Sequence, residues 1–468
     1  SMSQEDDKSE PTAPTRKWRG DRRPARMGFG VVMSLTVAGL VFLVLSLALT
    51  GRSVPMPEFV RNYVEERVNS RMTGASLSLG AMEFAVGRDG VPQILLSDIG
   101  ISDVHGGAVV QLNRIGAEIS ASRLLRGQVA ASTLLLAGAQ ITIRRQTDGS
   151  FTLSSNTVSE GESANLPDLL ARIEQILDRQ AFRALEEVRA GGVVITLEDA
   201  RSGRIWQATN ATAVVRTAED AISLSVTSDV FNGTESIAGM QLSLSRSRET
   251  GRVSLGLNIS YMAAADIALQ STIFSWLAVL DAPISGAVRT EIDPDGALAS
   301  FAGTLDIASG ALRPAEDIPP AEFDAAKAYF TFDPAAQRID FSQIEFAGLD
   351  GRVMATGHSY LSEFDGLWPK AFLGQFQVEA LDYDGGDVFS GPVSFNDLRA
   401  DMRLRLDPFT VELAQLVIDN KGTPVHAKGR IEARTGGWHA AIDATTREIS
   451  SKRVLELWPL KVSPITRT

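Results

Sequence analysis

Four histidines are the side chains of this chain best suited to acid–base catalysis or metal binding. They are His105, His358, His426 and His439. None of them lies at the spacing of a metal or catalytic motif such as His-Glu-x-x-His. Cysteine is absent, which excludes thiolate nucleophiles and cysteine-type zinc sites. We interpret the histidines as structural or solvent-exposed, and we predict no catalytic residue, no metal site, no cofactor and no enzymatic activity.

Acidic residues around Gly385 and Gly386 are the remaining candidates for ion binding. They are Asp382, Asp384 and Asp387, and the spacing of an EF-hand calcium loop is missing. A solvated turn is therefore the favoured interpretation. The chain has a formal net charge of −12 and no basic stretch outside its N-terminal tail, so we predict no nucleic-acid partner.

An uncharged apolar run from Phe29 to Leu49 is the strongest constraint on the organisation of the chain. A helix needs about 20 mostly apolar residues to cross the hydrocarbon core of a bilayer. Basic residues precede the run and acidic residues follow it, which predicts a cytoplasmic N-terminus and an exported remainder. A cleaved signal peptide is the alternative, although its apolar core usually has only about 7–15 residues.

Apolar and polar residues alternate through most of the exported part, which predicts β-strands. In one such run, Val253, Leu255, Leu257 and Ile259 alternate with polar residues and glycine. Turn pairs such as Asp-Gly separate the runs and indicate an antiparallel meander. Outside the apolar run, helical spacing is predicted only over the segments 57–72, 166–188, 263–280 and 453–458. In the second of these, a break near Gln180 is left open.

Strands of this kind form a sheet with one apolar face, which must be buried or put to use. Two sheets facing each other in a sandwich are one solution. Because helices are scarce, we predict the other, a mainly β fold in which a transmembrane helix precedes an elongated, curved antiparallel sheet, a trough or taco-like groove with few short helices. Some 30 strands at about 4.8 Å spacing give an upper limit of roughly 140 Å.

The predicted organisation has five parts along the chain. They are a cytoplasmic basic tail (1–26), a transmembrane anchor (27–50), a β-rich N-terminal domain with a short helix (51–156), a linker with an amphipathic helix (157–192) and a repetitive antiparallel β groove (193–468) that ends in mid-repeat.

Three segments carry a likeness to a known family. They read PMPEFVRNYVEERVNSRM at 55–72, ASLSLGAMEF at 75–84 and VRTEIDPDGALASFAGTLDIASGAL at 288–312. From about residue 28 onward the chain resembles AsmA-like envelope proteins, in particular the YhdP- and TamB-type bridge-like lipid-transfer branch. The resemblance implies a single-pass inner-membrane protein of a Gram-negative bacterium with its bulk in the periplasm. Members of this branch are usually much longer, so this chain is either a truncated form or a short member of the branch.

The resemblance also implies a function, in which the groove shields phospholipid acyl chains for transport between the inner and outer membranes and supports outer-membrane lipid homeostasis. The expected partners are phospholipids, the inner membrane and outer-membrane proteins. The alternative is a non-conducting envelope scaffold that assists outer-membrane protein assembly. Ordinary core packing is the competing interpretation for each groove candidate. The candidates are Val253, Leu255, Leu257, Ile259, Phe330, Phe332, Phe376, Val378, Met402, Leu404 and Leu406.

Overall fold

The computed structural model describes residues 24–70, 75–103, 108–128, 130–155, 165–178, 183–231, 237–366, 368–386, 388–420, 423–447 and 450–457. Within these ranges, the side chains of residues 24–30, 48, 75, 101–103, 108–111, 121, 124, 153–155, 176, 300, 420 and 423 are outside the described set.

Helices are few in the described ranges. They are α1 (Pro24–Thr50), α2 (Glu58–Asn69), α3 (Ala121–Leu124), α4 (Leu166–Leu177), α5 (Ala264–Ala268) and α6 (Ser451–Leu457), with a 3₁₀ helix at Thr272–Val279. The helical segments predicted around 57–72, 263–280 and 453–458 are confirmed. Among the described residues, no helix is found that is both long and apolar enough to cross a membrane.

The helix predicted over 166–188 is wrong in its second half. It ends at Leu177, and Val188 lies in a strand. Leu185 and Val188 continue the helical spacing of apolar residues, but Val188 pairs with Leu134 on one side and Val215 on the other. Tertiary pairing of a β-branched residue therefore overrides the local pattern here.

The strands form two sheets. The larger sheet contains β1 (Val54–Pro55), β2 (Ala75–Ser78), β3 (Ala81–Val86), β4 (Pro92–Asp103), β5 (Ala108–Ile119), β6 (Ala131–Ala137), β7 (Gln140–Arg145), β8 (Phe151–Ser155), β9 (Glu187–Asp199), β10 (Arg204–Thr217), β11 (Ala221–Phe231), β12 (Ile237–Ser247), β13 (Val253–Ala263), β15 (Pro283–Ile292), β16 (Leu298–Ile307), β19 (Ala325–Asp333), β20 (Arg338–Gly348), β21 (Gly351–Asp365), β22 (Trp368–Tyr383), β23 (Val393–Leu406), β24 (Phe409–Asn420), β25 (Thr423–Arg434) and β26 (Gly437–Thr446). The smaller sheet contains β14 (Leu280–Asp281), β17 (Gly310–Leu312) and β18 (Ala321–Phe323).

Pairing in the larger sheet is mostly antiparallel. From β9 to β13, and on through β15, β16 and β19 to β26, each strand pairs antiparallel with the next. Strands β3 to β6 form a second antiparallel run. The two runs join through β6 and β7, which pair with β9 in parallel, an arrangement that the predicted meander did not include. A mainly β fold built on one large sheet is thus confirmed.

The sheet is shorter than the sequence led us to expect. Within the described residues the larger sheet has 23 strands. At about 4.8 Å per strand this sets an upper limit of roughly 110 Å. The true extent along the sheet is smaller, because β2 and β3 share one edge of β4 and β6 and β7 share one edge of β9.

Register places the apolar residues of successive strands on one side of the sheet. Leu242 lies opposite Leu257, and Phe372 lies opposite Leu404. Residues directly opposite each other in an antiparallel pair share a face, and the bulges between strands preserve this arrangement. We call this side the apolar face; it includes Val193, Val226, Leu257, Val288, Leu305, Phe330, Ile344, Ala355, Phe376, Met402, Leu416, Ala427 and Ile442.

Part of the apolar face is covered by the chain itself. Residues 264–279, which form α5 and the 3₁₀ helix, lie on it, and we call them the central cover. Leu277 of this cover and Ile284 beneath it are fully buried, in the largest apolar cluster of the described residues. Since the second sheet has only three short strands, the described residues do not form the alternative sandwich.

The sheet curls around this cover. Arg201 follows β9, yet its guanidinium lies 5.7 Å from the ring of Trp368 at the start of β22. In a flat sheet those strands would be separated by roughly 50 Å. The contact therefore brings distant strands together at one end of the sheet.

Candidate functional site

An apolar cavity of about 290 Å³ lies between the apolar face and the covering segments. Strands β19 to β23 form its floor. Its roof comes from Trp276, Leu280, Leu312 and Phe323, which belong to the central cover and the smaller sheet. Floor residues include Ala326, Ile339, Phe341, Ile344, Phe346, Phe372, Phe376, Met402 and Leu404.

Two glycines make room for an aromatic ring on the cavity floor. Gly357 lies directly opposite Phe376, and Gly374 lies two residues before it in the same strand. A Cβ atom at either glycine would collide with the ring of Phe376. The absence of side chains there lets that ring lie flat along the floor, so the cavity depends on both glycines.

Phenylalanine rings continue from the buried core into the cavity. The ring centroids of Phe274 and Phe330 are 5.9 Å apart, those of Phe330 and Phe341 are 6.4 Å apart, and those of Phe341 and Phe376 are 6.1 Å apart. Such separations are typical of favourable aromatic pairs. These successive ring contacts connect the cavity floor to the buried core.

Few polar side chains line the cavity. Its polar lining residues are Lys327, Glu345 and Ser359. Lys327 and Glu345 lie opposite each other at register positions on the other face of the sheet. The enclosed surface therefore suits a hydrocarbon chain and offers no charged partner for a head group.

The structure places all eleven predicted groove residues on the apolar face, but in different surroundings. Phe376, Met402 and Leu404 line the cavity. Leu255 packs against α4, while Ile259 and Leu406 pack at the margin of the central cluster. Leu257 and Val378 are half-buried.

Three of the predicted groove residues are core instead. Val253 is fully buried under α4, and Phe330 and Phe332 are buried in the central cluster. The competing interpretation of core packing holds for these three, because segments of the same chain cover them. The prediction also missed the roof residues. Two of them, Trp276 and Leu280, lie in the apolar segment 273–280, which lacks a period of two.

Helix α4 is a second cover, held to the sheet at its edge by charges. Leu170 packs on Leu244 and Val253 of the apolar face. Glu174 accepts hydrogen bonds from Arg246 and Arg248, and Asp178 lies 3.0 Å from the Arg248 guanidinium. The helix is therefore fixed by an apolar stripe and a row of ion pairs.

Ion pairs at the end of the β9–β10 hairpin join it to β7 and to the central cover. Arg145 Nε donates a 2.8 Å hydrogen bond to Asp199, and Arg204 pairs with Asp266 of the central cover. Burial by itself raises the pKa of the Asp199 carboxyl, but hydrogen bonds from Arg145 and Ser202 outweigh it, so that pKa lies below its ordinary value. The charged groups of this cluster pair with each other, so we interpret the cluster as structural.

The residues first considered for catalysis are not brought together. His358, His426 and His439 lie in β21, β25 and β26, while His105 and Asp387 lie outside the described residues. In the part of the chain that the structure describes, no group of three or more acidic or histidine side chains is arranged to hold a metal ion.

Comparison with known proteins identifies no relative. No protein-family model matches the chain, no curated protein matches it, and no solved structure matches it. The likeness to AsmA-like proteins therefore stays an expectation from the sequence.

Proposed function

We propose that this chain is a membrane-anchored protein that binds phospholipid acyl chains on the apolar face of its sheet, as AsmA-like lipid-transfer proteins of the Gram-negative envelope are expected to do. In this proposal the curled sheet is a trough, α1 crosses the inner membrane with its N-terminus in the cytoplasm, and the sheet lies in the periplasm. Acyl chains enter the trough while head groups stay in water, and lipid moves between the two membranes.

The observation that carries the proposal is the apolar cavity over β19 to β23. It is lined by side chains that a compact core would have packed together, and the strands around it leave further apolar residues half-buried. Native cores rarely keep empty space of this size. An apolar space without polar partners excludes water and accepts an apolar guest.

Free energy explains why such a surface is useful. Exposing a phospholipid with two chains of about 15 carbons to water costs on the order of 20 kcal/mol, at about 0.8 kcal/mol per CH₂ group. A trough that shields the chains removes most of that cost. Its specificity is for hydrocarbon rather than for a particular head group, which fits the lack of charged groups in the cavity.

The exposed side chains of α1 support the anchor. Leu35 is 68% exposed and Phe42 is 75% exposed, on a helix of 27 residues. Leaving each such side chain in water costs about 1.5–3 kcal/mol relative to an apolar environment. The span itself rests on the sequence, because the described part of α1 does not meet the length and hydropathy of a membrane span, whereas the uncharged run Phe29–Leu49 supplies the about 20 apolar residues that a span needs.

A non-conducting envelope scaffold is the second candidate, and one observation favours it. The central cover and α4 fill much of the apolar face, and residues such as Val253, Leu277 and Ile284 are fully buried there. Lipid could not slide past these segments without displacing them. A scaffold of this kind would form a stable complex with an outer-membrane assembly protein and carry no lipid.

Photo-crosslinking in membranes tests acyl binding with the full chain. A phospholipid with a diazirine on one acyl chain is supplied to cells that express the protein, and crosslinked peptides are mapped by mass spectrometry. We expect crosslinks in β19 to β23, and we expect Phe376→Asp to abolish them because it places a charge in the cavity.

Leu373→Asp is the matched control. Leu373 lies in the same strand on the opposite face, is already exposed, and pairs with Arg403, so a carboxylate there is tolerated. Crosslinking should persist in this variant. A Phe376→Asp protein with a native circular dichroism spectrum and unchanged crosslinks in β19 to β23 would contradict the proposal.

A further inference from the structure

Helix α2 is held against the first strands of the sheet by polar side chains on one of its faces. Arg61 Nη1 donates a 2.8 Å hydrogen bond to the carbonyl of Gly80, and the Asn69 amide nitrogen donates a 3.0 Å bond to the carbonyl of Leu77. Glu65 accepts a bond from a backbone N–H in the same segment. These three residues are spaced four apart and therefore share one side of the helix.

The opposite face of α2 presents two aromatic rings to the surroundings. Phe59 is 73% exposed and Tyr63 is 63% exposed, and their spacing of four residues places them side by side. No residue of α2 is fully buried. Aromatic side chains normally bury 150–250 Å² each, so this pair is an unfavourable surface in water.

The chain keeps this pair close to the end of α1. Only a short segment separates Thr50 from Glu58, and within it Val54 pairs with Phe84 of β3. Leu47, in the last turn of α1, is itself buried in the protein. At about 3.5 Å per residue, the segment spans less than roughly 30 Å even when fully extended.

We infer that Phe59 and Tyr63 dock α2 in the head-group region of the bilayer that α1 crosses. This rests on the anchor assigned to α1 under the proposed function. The interface between membrane and water favours amphipathic aromatic rings, with the apolar ring toward the acyl chains and the tyrosine hydroxyl toward water. Glu58, Glu66 and Arg67 are exposed beside the pair and leave one net negative charge, so the docking depends on the aromatic rings rather than on attraction to anionic lipid.

Docking in this way sets the position of the groove. The sheet segment held by α2 includes β2 and the turn into β3, where the run of strands begins. With α2 lying on the membrane, these first strands are fixed at the bilayer surface, and the apolar side of the sheet starts where lipid is available.

Single cysteine labels test the docking, because the natural chain has no cysteine. The full chain is labelled with the NBD fluorophore at Tyr63→Cys, at Leu40→Cys within α1, or at Thr250→Cys in the exposed turn after β12. Each protein is reconstituted in phosphatidylcholine vesicles that contain lipid with a nitroxide quencher either near the head group or on the acyl chain. We expect the acyl-chain nitroxide to quench position 40, the head-group nitroxide to quench position 63, and neither to quench position 250, with little dependence on salt.

Each outcome separates docking from the other proposals. Quenching at 40 without quenching at 63 overturns the docking and leaves the anchor intact, and no quenching at 40 overturns both. Shielding of position 63 from aqueous iodide without quenching by the lipid nitroxide indicates a protein partner and also overturns the docking. With the label at 63, Phe59→Ser should reduce the quenching, and none of these readouts depends on acyl chains entering the cavity.

Discussion

The floor beneath the central cover and the floor of the cavity are built from the same pattern of strands, yet they have different surroundings. In β15 and β16, Ile284 and Leu305 alternate with polar residues and are fully buried beneath the cover. In β22 and β23, Phe376 and Met402 alternate in the same way and border empty space. Register assigns all four residues to one face of one sheet.

The difference lies in what covers the strands. The alternation of residues in a strand predicts which side is apolar. It does not predict whether a helix, another strand or a guest molecule covers that side. Covered strands gain packing stability, whereas open strands keep a surface that a ligand can use. The predictions below compare these two regions, beginning with the change of largest expected effect.

Asp199→Asn, at the end of β9, should destabilise the protein most. The carboxylate of Asp199 is fully buried and the side chain of Arg145 is 10% exposed, so the substitution leaves a buried guanidinium without its charge partner. We expect the free energy of unfolding to fall by about 3–5 kcal/mol. Urea unfolding of the full chain in detergent, followed by circular dichroism, measures it.

A neighbouring ion pair provides the control for this change. Glu198 pairs with Arg144 on the other side of the same strands, and both side chains are substantially exposed. Glu198→Gln should therefore cost no more than about 0.5 kcal/mol. Equal losses for the two variants would contradict a structural role for the buried pair.

The same aspartate predicts a dependence on pH. The pKa of Asp199 is lowered in the folded protein, so its stabilising contribution is present above the ordinary aspartate pKa near 3.8 and is lost as the pH falls through the lower folded value. The wild-type protein should lose stability below about pH 4, and Asp199→Asn should lose less over that range. Identical pH profiles would contradict this assignment.

Leu277→Ala should cost about 2–5 kcal/mol, because Leu277 is 0% exposed and the substitution leaves a void at the centre of the covered region. Urea unfolding again measures the change. In the photo-crosslinking assay, a loosened cover should also admit lipid to β15 and β16. A stable variant with no change in either assay would mean that the cover does not depend on this side chain.

The sequence was sufficient to predict the strands, the single apolar face and most helices, because alternation and turn residues are local signals. It was insufficient to predict which segments cover the apolar face. Phe330 and Met402 have equivalent positions in their strands, and only the folding of residues 264–279 onto the sheet makes the first core and the second cavity lining. Val188 shows the same limit, since pairing with residues distant in the chain turned a helical pattern into a strand.

Glu174→Gln should loosen the α4 cover without unfolding the sheet. Glu174 is the carboxylate shared by Arg246 and Arg248, and these side chains are largely but not fully buried. We expect a local loss of about 1 kcal/mol, seen as faster hydrogen exchange in α4. Gln175→Ala, at an exposed position next to Glu174 in the same helix, should leave the exchange unchanged.

Met402→Ala should have a small effect on stability and the clearest effect on ligand binding. Met402 is half-buried and borders the cavity, so its removal widens an existing space and forfeits only part of a side chain's burial, about 1 kcal/mol. Leu277→Ala removes a side chain of comparable size from a position with no adjacent cavity. The difference between the losses in unfolding free energy of the two variants therefore measures how much tighter the packing is beneath the cover than around Met402. If Met402→Ala costs as much as Leu277→Ala, the region around Met402 is packed like the covered strands, and the cavity is not an open binding surface. A smaller cost together with altered crosslinking in β22 and β23 is the result expected of a floor that is completed by a guest.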